Sequence, residues 1–140
     1  MKDLVAVLVV WLSASFDLPA TNDHPSVRFE SPAMLTNIRY GSAEAAAGTH
    51  VVALYDGRTE TIVLSEGWDS SDPADVSVLV HELVHHLQEQ DRRRYPCAAA
   101  REKLAYEAQA RWLDQFGLDL EAEFQINPMA LKLRTSCLVP

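Results

Sequence analysis

Apolar residues recur at Val76, Leu79, Val80, Leu83, Val84 and Leu87, the spacing of a single helix face. Asp72-Pro73-Ala74-Asp75 just before them supplies a capping side chain, a proline at the first helical position and an acid in the first turn. A second helical pattern runs from about Cys97 to Phe116, with Gly117 placed to end it. Near the N-terminus an unbroken apolar run, Leu4 to Leu12, fits a helix from about Asp3 to Phe16 that stops near Pro19. It also fits the core of a signal segment, with the small residues Ser13-Ala14-Ser15 behind it, although Asp3 and the lack of a clean cleavage site speak against that.

Ser26 to Glu30 alternates polar and apolar and reads as a strand, and Pro32 to Arg39 as a short helix. His50 to Tyr55 and Thr59 to Ser65 are rich in strand formers, and Asp56-Gly57 between them signals a hairpin. Gly67 to Ser71 is a loop leading into the stripe-bearing helix. The order is helix, strand, short helix, hairpin, two long helices and a tail. That predicts an α+β fold with a small antiparallel or mixed sheet packed on helices.

The chain has 140 residues, which is one domain (residues 1–140) with enough length for a core. A net charge of −8 argues against nucleic acid or an anionic membrane as partner, and Arg92-Arg93-Arg94 is the sole basic run. The apolar N-terminal run is far shorter than the ~20 residues of a stable membrane span. Cys97 and Cys137 lack the spacing of a zinc knuckle. They are either a disulfide that ties down the tail, as an exported protein would allow, or two buried thiols.

The chemistry lies on the polar side of the striped helix. His81-Glu82-Leu83-Val84-His85 has the form H-E-x-x-H. Four residues make slightly more than one helical turn, so the two imidazoles stack on one side roughly 6 Å apart and can share a metal ion. Glu82 is placed to take a proton from a water that the metal activates. His86 sits at the flank of the stripe and reads as a packing residue or one that supports a ligand from behind, and Gln88 and Glu89 as ordinary polar-face residues.

A mononuclear site needs a third protein ligand, normally from a later element, and the other histidines, His24 and His50, lie upstream. The second long helix offers Glu102 and Glu107. Glu107 has Lys103 and Arg111 four residues to either side, the pattern of an exposed acid in surface ion pairs. Glu102 is flanked by Ala98, Ala99 and Ala105, which allow a close helix approach, and is the preferred ligand. Zn2+ is the expected cofactor.

H-E-x-x-H followed by a glutamate helix is similar to the gluzincin metallopeptidases, whose glutamate motif often reads E-x-x-A-D or E-x-x-S-D. Here Glu102-Lys103-Leu104-Ala105-Tyr106 reads E-x-x-A-Y. The match again points to Glu102, and it assigns Tyr106, or another group, the task of hydrogen-bonding a ligand histidine. In its short length and compact order the chain resembles the minigluzincins. The stretch from Val51 to Leu113 resembles more narrowly a bacterial domain family of unknown function, DUF6647. It does so through Leu54-Tyr55, Gly67-Trp68-Asp69, Leu79 to Gln88, Ala105-Tyr106, Gln109 and Trp112-Leu113.

The resemblance implies a zincin-like domain with an N-terminal support helix, which favours that reading of residues 1–20 and leaves cytoplasmic and exported locations both open. It implies a zinc peptidase acting on a peptide or protein substrate; by side-chain chemistry alone, Tyr95, Tyr106 and Tyr55 are the candidates for the donor to the oxyanion. It also implies a substrate-pairing edge strand, either Thr59–Ser65 or His50–Tyr55, although a purely stabilising hairpin explains the same pattern. Two other readings stay open: a zincin-like module that binds zinc and a protein partner without turnover, and a globular interaction protein without metal.

Overall fold

The computed structural model describes residues 1–40 and 52–138. They form α1 (Lys2–Phe16), β1 (Ser26–Glu30), α2 (Pro32–Tyr40), β2 (Ala53–Asp56), β3 (Thr61–Ser65), α3 (Pro73–Gln90), α4 (Ala98–Asp114), α5 (Leu120–Phe124) and α6 (Pro128–Thr135). The architecture is α+β with a three-stranded mixed sheet of order β1-β3-β2. β1 runs parallel to β3 and β2 antiparallel to it. The His50–Val51 start of the expected strand lies outside the described residues.

The strand order corrects one expectation. The strand expected over Thr59–Ser65 is not an edge: β3 is central, with Val63 paired to Arg28 on one side and Leu54 on the other. Its three consecutive apolar residues are buried because both faces are covered. Ile62 and Leu64 join the main core, while α2 also packs on this strand. The edge beside α3 is β2. The hairpin also differs from a two-residue Asp-Gly turn. Asp56 pairs with Thr61, so four residues make the loop, and the left-handed one is Glu60 at φ 50°. Asp56 holds that loop by accepting from Arg58 N and Thr59 Oγ1. Gly57 serves a different purpose, since a Cβ there would lie 3.3 Å from Glu89 Oε1 of α3.

α3 is the centre of the molecule. Asp72 caps it by accepting from Ala74 N, and the Gly67-Trp68-Asp69 loop staples its first turn. Trp68 Nε1 donates to the Asp75 carbonyl, and Asp69 N donates to the Asp75 carboxylate. All six residues of the apolar stripe are buried, in a core shared with Val5, Leu8, Val9 and Leu12 of α1. Trp11 packs edge-on to Trp112, joining α1 to α4. The polar side of α3 is covered as well, by α4, which is its most extensive partner.

α4 ends where Gly117 takes φ 70° and Leu118 N reaches back to the Leu113 carbonyl. The segment beyond is not an unstructured tail. Asp119 and Asn127 each cap a short helix by accepting from a backbone amide three residues on, and α6 packs on α4. Cys137, just past α6, is disulfide-bonded to Cys97, the residue before α4, at a sequence separation of 40. A loop of that size constrains the unfolded chain enough that reduction is expected to cost about 4 kcal/mol. Urea unfolding with and without reductant measures this, and an unchanged midpoint would show that the bond constrains little. Among the described residues no helix is long and apolar enough to cross a membrane.

Candidate metal centre

His81 and His85 lie one turn apart on α3, their ring centroids 5.2 Å apart. Glu102 comes from the second turn of α4. Its Oε2 is 3.0 Å from His81 Nε2 and its Oε1 is 2.7 Å from His85 Nε2. The three side chains form a group that can hold a metal ion, each offering one ligand atom, all within 4.8 Å of one another. Bonds of 2.0–2.1 Å in a tetrahedral site put ligand atoms ~3.3 Å apart, a little more than the two carboxylate–imidazole contacts here, so Glu102 has only to draw back slightly from each ring to admit zinc. Glu107 is exposed and takes no part.

Glu82 follows the first histidine and is buried at 8% exposure. Its Oε2 is fully buried and has no hydrogen-bond partner among the described residues. A buried carboxylate oxygen left unpaired is costly, and here it is open to a donor that the described residues do not supply. The donor set of two imidazoles and a carboxylate, with a free carboxylate beside it, suits zinc in a site that keeps a position open.

Burial alone would push the His85 pKa down, but the hydrogen bond to Glu102 and the charges of Glu82 and Glu102 outweigh it and raise it. Burial would likewise raise Glu102, but its hydrogen bonds with His81 and His85 hold the carboxyl well below the usual range. In the metal-free chain the His85 contribution to stability is complete below the ordinary histidine value of 6.5 and is lost as pH rises through the raised folded value. The Glu102 contribution is complete above its ordinary 4.5 and is lost as pH falls through the depressed one. The advantage of metal-free wild type over Glu102→Gln in urea midpoint is therefore expected to peak between pH 4.5 and 6.5. A difference independent of pH would show that the triad is not coupled in this way.

The contacts behind the ligands differ from the sequence reading. Tyr106 does not hydrogen-bond a ligand histidine. Its ring packs edge-on to His81 at 4.6 Å and its hydroxyl accepts from Arg134 of α6 at 3.3 Å. The phenol is too long to turn back to the imidazole it already packs against. Gln109, one turn further along α4, takes that place, with Oε1 2.9 Å from His81 Nδ1. Gln88 is not an ordinary polar-face residue. It is buried at 4% exposure and its Oε1 lies 2.9 Å from His85 Nδ1. Glu89 is exposed and pairs with Arg101.

His86 is fully buried and points away from the triad. Its Nδ1 is 2.9 Å from the Tyr55 hydroxyl, and its Nε2 reaches the Asp23 carbonyl. Tyr55 is thereby committed to His86. Burial, and after it the carboxylates of Glu60, Glu89, Asp23 and Asp56, push its pKa up to about 12. The Tyr95 hydroxyl is buried, with no hydrogen-bond partner among the described residues.

Comparison with curated proteins and with solved structures gave no match. The profile of a domain of unknown function, DUF6647, matches residues 1–139, well beyond the stretch from Val51 to Leu113 that carries the resemblance in sequence. The chain belongs to the DUF6647 family, and the triad of α3 and α4 lies within the matched span.

Proposed function

We propose that this protein is a zinc-dependent peptidase of the gluzincin kind, with His81, His85 and Glu102 as metal ligands in a small zincin-like domain. The observation that carries the reading is the buried, unpaired Oε2 of Glu82 beside a triad able to hold a metal ion. A site built only to bind metal has no use for that carboxylate. Zinc bound there would supply a Lewis acid that polarises a substrate carbonyl and makes water easier to deprotonate.

Glu82 accepts the proton of the attacking water and passes it to the amine that leaves. Gln88 and Gln109 keep the imidazoles in place while this happens. Tyr106, on the rim beside His81 with Arg134 on its hydroxyl, is better tied to the site than Tyr95 as a donor to the oxyanion. An extended peptide would add to β2, the edge strand beside α3.

A broad peptide-library digestion with zinc-loaded protein, with and without chelator, tests this. Chelator-sensitive cleavage is the expected result. Full zinc occupancy with no cleavage would instead make the domain a zinc-binding module that works through a protein partner.

A further inference from the structure

Gln88 and Gln109 are arranged as a reciprocal pair. Gln88 belongs to α3, holds His85 of the same helix, and donates from Nε2 to the Arg101 carbonyl of α4 at 3.1 Å. Gln109 belongs to α4, holds His81 of α3, and donates from Nε2 to Ser77 Oγ of α3 at 3.2 Å. Each carboxamide therefore bridges the two helices, and Arg101 immediately precedes Glu102.

The far partner of each glutamine fixes which way its amide faces. A backbone carbonyl only accepts, so Gln88 must turn its NH2 to Arg101 and its Oε1 to His85. The Ser77 hydroxyl donates its own proton to the Ala74 carbonyl at 2.6 Å, so toward Gln109 it can only accept. Gln109 must then turn Oε1 to His81. With an acceptor oxygen 2.9 Å from each Nδ1, both imidazoles carry their proton on Nδ1. Both Nε2 atoms then face the Glu102 carboxylate. Nε2 is therefore the atom of each ring that shares a proton with the Glu102 carboxylate or, with that proton displaced, binds a cation.

We infer that Gln88 and Gln109 are positioning residues that fix Nδ1 of both ligand imidazoles as an N–H donor and aim each Nε2 at the metal position before any ion arrives, and clamp α3 to α4 beside Glu102. The inference rests on the metal-site reading above. It adds that the support is a pair of neutral amides rather than carboxylates, so the imidazoles gain orientation without extra negative charge. A carboxylate in place of Gln109 keeps the acceptor and adds donor strength to the ligand, whereas in place of Gln88 it would set an oxygen against the Arg101 carbonyl.

Nitrogen-15 NMR of the histidine rings tests this, with zinc titration against a competing chelator, on full-length protein both metal-free and zinc-loaded. Wild type is expected to show a solvent-protected Nδ1–H on His81 and on His85 in both states. Gln109→Leu should remove the His81 signal, Gln88→Leu the His85 signal, and each should weaken zinc by about 10- to 100-fold. Gln109→Glu should keep both signals and bind zinc at least as tightly as wild type, because the Ser77 hydroxyl can turn to donate to the new carboxylate. This variant decides the matter if the leucine variants fail to fold. A His81 or His85 ring whose Nδ1 carries no proton in wild type, or leucine variants with unchanged spectra and affinity, would overturn the inference. Failure of wild type to bind zinc would overturn the metal reading alone, because the metal-free spectra judge the glutamines separately.

Discussion

Replacing Glu82 by glutamine is expected to leave one zinc per chain and to lower peptide hydrolysis by roughly 100- to 10,000-fold, the range a positioned general base contributes. The substitution keeps the shape of the side chain and removes its capacity to take a proton. It also introduces an NH2 group where Oε2 now lies buried without a partner. Folding stability should therefore change little, and the kcat loss can be separated from unfolding by circular dichroism. A Glu82→Gln protein with wild-type turnover would remove Glu82 from the chemistry.

The second large effect is expected at Glu102. Glu102→Ala deletes the only carboxylate in the triad and should weaken zinc by more than about 100-fold, exceeding the loss of a supporting residue behind a ligand. Glu107→Ala is the control. It lies on the same helix but is exposed, and its zinc affinity should match wild type within about twofold. Equal losses in both variants would mean that α4 as a whole, rather than one carboxylate, supports binding. A loss confined to Glu107→Ala would reassign the third ligand. Glu102 also holds both imidazoles in the metal-free chain, so the affinity measurement needs the pH-dependent unfolding comparison beside it.

Much of this arrangement was legible because it is local. The α3 stripe, its Asp72-Pro73 start and the two histidines four residues apart are nearest-neighbour features of one helix, and period and capping chemistry are sufficient to read them. The choice of Glu102 rested on small residues that permit close helix approach, and the structure places it against both imidazoles.

What stayed hidden depends on pairings distant in the chain. His81 and Gln109 are 28 residues apart, and nothing local ties them. Spacing holds a weak trace of both glutamines: Gln88 is three residues past His85, and Gln109 is seven past Glu102, so each shares a face with its ligand. Strand order was hidden for the same reason, although Ile62-Val63-Leu64 carried the sign of a strand covered on both faces. α5 and α6, at 5 and 8 residues, are too short to establish a period, and only the Asp119 and Asn127-Pro128 caps announce them. Tyr106 was assigned by analogy with an aspartate, and a ring that packs against its neighbour cannot reproduce a short carboxylate's reach.

The most direct measurement is anomalous diffraction at the zinc edge from crystals of the zinc-loaded protein. The account predicts one peak, bounded by the Nε2 atoms of His81 and His85 and the carboxylate of Glu102, at about 2.0–2.2 Å from each. A peak elsewhere, or no peak after zinc loading, would contradict it.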